Sequence, residues 1–208
     1  MRRMLSFLYS CFTLDPISLI HAGGYIGIFA LVFVESGLLV GLVLPGDSVL
    51  FAAGLLGASG AVSPTFTIFL IIVAAVLGDN VGYWFGKNVG TSLFKRPDSK
   101  IFKQEYVVRT QKFYATYGGR AVVFARFVPI VRTLAPILAG VGKMRYDTFL
   151  FYNALGAVLW GAGLVMLGYF LGSVIPNSEK YVLPLSLVII VISFLPLFLN
   201  FFRGKKAI

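Results

Sequence analysis

Four charged residues, Glu35, Asp47, Arg126 and Arg132, lie inside long apolar stretches of this chain. That placement limits the possible folds more than any other feature. A charge at membrane depth costs at least ~2.5 kcal/mol, and it marks a pathway, a pairing or a ligand site. Two of the four are acids in the first half; two are arginines in the second. Each pair stands beside a proline, Pro45 or Pro129, which removes a backbone donor and breaks a helix. Broken helices that hold charges at membrane depth are how many transporters build a substrate site.

The apolar stretches set the class. Of 208 residues, 58% are hydrophobic and only 12% charged, against about 25% charged in a soluble domain. Mean hydropathy is +0.89. The chain therefore reads as an integral membrane protein forming one compact membrane domain. Its net charge of +10 does not point to nucleic acid. Most basic residues fall in one connecting segment and at the termini, where the positive-inside rule and anionic lipid headgroups account for them. With one cysteine, Cys11, and one histidine, His21, an intramolecular disulfide is impossible and no metal or cofactor site is expected. Arg2-Arg3 and the apolar residues after them loosely mimic a signal peptide without a small-x-small cleavage site. Residues 1–24 are expected to be an uncleaved interfacial segment.

At about 20 residues per span, the apolar run 25–56 is too long for one helix and short for two. Glu35 and Pro45-Gly46-Asp47 interrupt it, so a re-entrant helical hairpin, or one span plus a half-helix, fits. Such non-helical backbone is tolerated at membrane depth only inside protein or along a cavity. Residues 65–86 then span once, giving a first unit of 25–86. Residues 87–120 carry eight Lys/Arg against Asp98 and Glu105. They read as a basic connection whose helix, capped by Asp98 or Ser99 and ended by Gly118-Gly119, lies amphipathically on the membrane with Phe102, Tyr106, Phe113 and Tyr117 on one face. The second unit, 121–175, repeats the broken run through Arg126, Pro129, Arg132 and Pro136, followed by a span over 147–172. Residues 176–208 supply a last transmembrane helix, 182–202, and a basic tail. The connection, Lys143, Arg145 and the C-terminal lysines then all fall on the cytoplasmic side.

The two units share a pattern. Ala53-Gly54 is followed, 28 residues after the glycine, by Gly82-Tyr83-Trp84-Phe85-Gly86; Ala139-Gly140 is followed at the same distance by Gly168-Tyr169-Phe170-Leu171-Gly172. One full crossing and one re-entrant element separate the copies, so the second enters from the opposite face. This predicts an inverted-topology repeat with a site near mid-membrane.

Each motif has a structural reading beside a functional one. Asp47 either caps the helix that follows or joins Glu35 as a protonatable pair. Burial favours the neutral carboxyl and a nearby arginine the charged one, so such a pair could load and release a proton. Arg126 and Arg132 would face different sides of an intact helix, and the break at Pro129 lets them converge. Two guanidiniums suit a phosphate, offering forked donors in a dry setting; alternatively they pair with Glu35 and Asp47 to neutralise the core. Asp79, Asn80, Pro45 and Pro129 are candidates for lining the same cavity, with an interfacial position equally open for Asp79. Asn153 and Trp160 read as packing residues. Gly57-Ala58-Ser59-Gly60 matches a short pattern of intramembrane serine proteases, but no base is placed to serve it, and small residues for close packing explain it better.

Together these motifs resemble the DedA family, within the wider DedA/VTT superfamily. The resemblance is carried by Glu35-x-Gly37, Leu44-Pro45-Gly46-Asp47-Ser48, Gly78-Asp79 with Gly82-Tyr83, and the segment Ala125-Arg126-Phe127-Val128-Pro129-Ile130-Val131-Arg132-Thr133. Ala139-Gly140, Phe149, Asn153, Gly156, Trp160 and Gly168-Tyr169 complete it, and the connection with Ser99-Lys100-Ile101-Phe102 resembles the DedA branch proper. It covers roughly residues 20–175. The resemblance implies a multi-pass transporter of the bacterial inner membrane, linked to recycling of the carrier lipid undecaprenyl phosphate and dependent on the proton motive force. It carries the family's acids to Glu35 and Asp47 and its arginines to Arg126 and Arg132.

The expectation is thus an all-α membrane protein that translocates the phosphate head of undecaprenyl phosphate. Arg126 and Arg132 would hold the phosphate, and Glu35 and Asp47 would couple protons or gate. Anionic membrane lipids are expected as partners, and the oligomeric state is open, a homodimer being one option. The alternatives are a proton-dependent antiporter for small cations or drugs and a non-transporting membrane organiser. An enzyme is not expected, because no histidine-rich or metal-ligand constellation is present to carry the chemistry.

Overall fold

The computed structural model describes residues 16–38, 46–90 and 104–174, and every element among them is helical. In chain order these are α1 (Pro16–Gly37), α2 (Gly46–Ala58), α3 (Pro64–Phe85), α4 (Gln104–Tyr117), α5 (Arg120–Ala125), α6 (Pro129–Val141) and α7 (Tyr146–Val174). A π-helical turn, Gly86–Gly90, continues α3. Pro45, the N-terminal residues 1–15, the connection over 91–103 and the expected span at 182–202 lie outside the described residues.

Helix length separates two kinds of element. At about 1.5 Å per residue, Pro64–Val89, which is α3 and most of its π turn (26 residues), and α7 (29 residues) are long and apolar enough to cross a bilayer, whose apolar core is about 30 Å thick. By contrast α2 and α6, at 13 residues each, reach only about 20 Å. Helix α1 is interrupted at Gly24, whose φ of 55° is a conformation that glycine adopts at no steric cost, leaving a short apolar piece, Gly23–Gly37. Large apolar side chains stand outward on both long helices: Phe66, Phe69 and Val81 on α3, and Phe151, Leu159 and Phe170 on α7. Surfaces of this kind are stable against lipid rather than water, as expected of an integral membrane protein.

The chain folds as two compact units. The first comprises described residues 16–28, 46–70 and 161–174. Here α2 packs on the C-terminal part of α7 without intervening side chains. A Cβ on Gly54 would meet the Val165 carbonyl and lie 3.0 Å from the Gly168 Cα, while one on Gly168 would meet the Phe51 carbonyl. Residues Gly57 to Gly60 form the end of α2 and its turn: Gly60 has φ 78° and the Ser59 hydroxyl donates to the Leu56 carbonyl at 3.0 Å. The turn is tied to α1 by the Ser63 N–H, which donates to the Tyr25 hydroxyl at 2.8 Å.

The second unit comprises 29–38, 71–90 and 104–160. Its axis is a glycine stripe on α3, with Gly78, Gly82 and Gly86 four residues apart and so on one face. Tyr83, beside that stripe, stacks on Phe149 at 4.5 Å and donates its hydroxyl to the Met144 carbonyl at 2.6 Å. Helix α4 ends where Gly118 turns left-handed (φ 59°) and donates its N–H to the Tyr114 carbonyl, a glycine C-cap. Tyr114 faces inward and donates its hydroxyl to the Ala135 carbonyl of α6 at 2.9 Å. Burial pushes the Tyr114 phenol well above its ordinary range, so it remains a donor. Phe113 and Tyr117 point outward with their rings 4.9 Å apart.

Candidate functional site

The glycine stripe brings two short helices onto α3. On one side α1 ends against it, where a Cβ on Gly37 would lie 2.8 Å from the Gly78 carbonyl oxygen. On the other, α6 seats Pro136 and Ile137 over Gly82 and Gly86, and a Cβ on Gly140 would meet the Tyr83 carbonyl. Because both backbones approach so closely, side chains projecting from α1 and α6 reach each other across α3. Arg132 of α6 pairs there with Glu35 of α1.

A second pair lies beside the first. Arg126 follows α5 and pairs with Asp79 of α3, the residue next to Gly78. The same guanidinium nitrogen donates to the Asn153 side-chain oxygen of α7. Between the arginines the helix breaks: Val128 is extended (φ −119°, ψ 109°) and Pro129 opens α6 at its first turn, where a missing N–H costs nothing. The break gives both arginines a common neighbour. The Trp160 ring lies 5.8 Å from the Arg126 guanidinium carbon and 5.1 Å from that of Arg132, within cation–π range. Gly156, one turn before Trp160, leaves space for Arg126; a Cβ there would come within 3.3 Å of its Cδ and Nε.

The cluster is dry and balanced in charge. Glu35 is 1%, Arg126 4% and Asp79 5% exposed. A buried guanidinium or carboxylate is tolerable only when paired and hydrogen-bonded, and each has such a partner. The cavity bounded by Ser36, Asp79, Val122, Arg126, Arg132 and Pro136 is about 10 Å³, roughly room for one water. In this conformation the two guanidiniums are capped by the protein's own acids.

Of the residues singled out from sequence, Glu35, Asp79, Arg126 and Arg132 meet in this cluster. Asn80, next along α3, turns its amide to the Val76 carbonyl of its own helix at 2.8 Å. Asp47 stands in the first turn of α2, in the other unit. Asn153 and Trp160, read from sequence as packing residues, are contacts of the arginines instead. A sequence signal for them existed: Asn153, Gly156 and Trp160 follow i, i+3, i+7 spacing and so share one face of α7.

Fold and site together define the class: a helical integral membrane protein with a charge-balanced polar cluster inside its apolar body. Residues 44–170 match the VTT domain family. The protein DedA of Escherichia coli K12 is 42% identical over 185 residues, which cover 88% of this chain and 84% of that protein. An uncharacterized membrane protein of Mycobacterium tuberculosis is 43% identical, covering 93% of this chain and 88% of its own. The inner membrane protein YqjA of E. coli K12 is 36% identical over 76% of the chain. No solved structure matches. The chain belongs to the DedA family of VTT-domain membrane proteins.

Proposed function

We propose that this protein moves a lipid phosphate, undecaprenyl phosphate in particular, across the bacterial inner membrane, returning its head to the cytoplasmic leaflet. The observation that carries this reading is the convergence of Arg126 and Arg132 on Trp160 in one buried cluster. Two guanidiniums offer forked donors that match phosphate oxygens. The carboxylates of Glu35 and Asp79 hold the place that a phosphate would take. Protonating either acid weakens its hold on the arginine and admits the ligand, which links transport to the proton gradient. Asp79 thus joins Glu35 and Asp47 in the proton-coupling or gating role. A small-cation antiporter is the weaker reading, because its cation would have to sit among two arginines.

The reading includes an inverted repeat with re-entrant short helices, and the glycine contacts support it. Gly54, from the first copy of the pattern, packs on Gly168 from the second. Gly140, from the second, packs on Gly86 from the first. Each short helix therefore rests on the span of the other copy, with the two contacts offset by one helical turn, since Gly168 corresponds to Gly82 and Gly86 to Gly172. The basic connection and the C-terminus are assigned to the cytoplasm by the positive-inside rule, where anionic lipids would contact them.

The test is movement of undecaprenyl phosphate between leaflets of proteoliposomes, with and without a pH gradient. Wild type should move it and Arg126→Lys, which keeps charge but loses the fork, should be strongly impaired. Equal rates in wild type, Arg126→Lys and empty liposomes would overturn the proposal.

A further inference from the structure

A groove of about 940 Å³ runs between α4, α5 and α6, toward the upper end of the ~300–1,000 Å³ common for ligand sites. Its walls carry Phe113, Tyr114, Tyr117, Phe124, Val131 and Leu138. Phe124 is 71% and Tyr117 60% exposed, so the rim is largely apolar, with Arg120 and Thr116 as exposed polar side chains beside them. The groove and the charged cluster lie back to back. Ala125 and Val131 line the groove, and the residues that follow each of them, Arg126 and Arg132, line the small polar cavity. Ala135 borders both, and its carbonyl is the one that Tyr114 holds from the groove side.

We infer that this groove holds the hydrocarbon tail of the lipid whose phosphate Arg126 and Arg132 bind. The inference rests on the phosphate reading of the charged site. A ligand spanning both regions needs an anionic end and a long apolar end, joined without a polar backbone. A lipid monophosphate has that form. A peptide helix would bring about 10 Å of width and backbone polar groups, and it lacks an anionic end for the arginines. Ala125 and Val131, each one residue before an arginine, keep the groove side of that wall apolar.

The experiment uses the full chain in zwitterionic nanodiscs. Binding of isopentenyl phosphate and farnesyl phosphate is measured by calorimetry, corrected for uptake by empty nanodiscs. A diazirine-bearing farnesyl phosphate and the matching neutral farnesol are photocrosslinked and mapped. Farnesyl phosphate should bind at least roughly tenfold tighter than isopentenyl phosphate, as little as two buried methylenes' worth. Its label should fall on residues 113–138, while the farnesol label spreads to the outward face of α7. Leu138→Trp, at a partly exposed groove position, should lose the farnesyl advantage and the groove label while still binding isopentenyl phosphate, which shows that it is folded. Equal affinity for the two phosphates, with both labels spread alike, overturns the groove and leaves the phosphate site standing. Binding of neither phosphate overturns both.

Discussion

Arg132 and Glu35 are 97 residues apart in the chain and form an ion pair inside the apolar body. The pair exists because α1 and α6 both rest on the glycine face of α3, which leaves no side chain between the backbones. Its neighbour, Arg126 with Asp79, depends on the same helix. Both acids of the cluster are thus carried by elements that meet at Gly78, and both arginines flank one helix break.

Removing one member of a buried pair leaves a bare charge. Arg126→Ala should destabilise the protein by about 3–5 kcal/mol, and Arg126→Ala with Asp79→Ala should be more stable than Arg126→Ala alone. Thermal unfolding in detergent across the double-mutant cycle reads the coupling. Strictly additive losses would show that the two residues do not act as a pair.

The glycine contacts make a sharper prediction. Gly86→Ala and Gly140→Ala each drive a methyl into backbone and should cost ~1–3 kcal/mol. Gly163→Ala, with nothing within 4 Å of its added methyl, should be neutral or stabilise the helix by up to about 1 kcal/mol. The same unfolding assay ranks the three.

Tyr114→Phe deletes one buried hydrogen bond and strands the Ala135 carbonyl on its groove side. A loss of ~1 kcal/mol is expected, seen as a lower unfolding midpoint. An unchanged midpoint would mean that α4 is held to α6 by apolar packing alone.

Trp160 reports on both arginines. In a Trp84→Phe background it is the sole tryptophan, and its emission should shift when isopentenyl phosphate is added. Trp160→Leu removes the cation–π contact and should weaken phosphate binding between about twofold and thirtyfold, for ~0.5–2 kcal/mol. A flat emission signal with binding proved by calorimetry would place the phosphate away from Trp160.

Much of this was legible in the sequence, for a physical reason. A charge in an apolar run is visible without any fold, so Glu35, Arg126 and Arg132 stood out, and Pro129 marked the break between the arginines. The long helices followed from apolar length: expected spans of 65–86 and 147–172 correspond to α3 and α7. Asp79 was harder. Gly78 and Asn80 flank it near the end of an apolar run, where an acid reads equally well as interfacial, and two acids already balanced two arginines on paper. Pairing is a three-dimensional property, so Asp79 as the partner of Arg126 emerges only from the packing of α3. Asn153 and Trp160 carry no charge to betray them, and only their shared helical face hinted at a common neighbour.

The 10 Å³ cavity has a consequence for measured affinities. Glu35 and Asp79 are tethered rivals of any incoming anion, present at a concentration set by the fold rather than by the solution. An observed dissociation constant is the intrinsic one divided by the fraction of molecules whose arginines are disengaged. Loosening the rivals, as in Asp79→Asn, should therefore tighten apparent binding while slowing release, so that the variant with the highest affinity is a poor carrier.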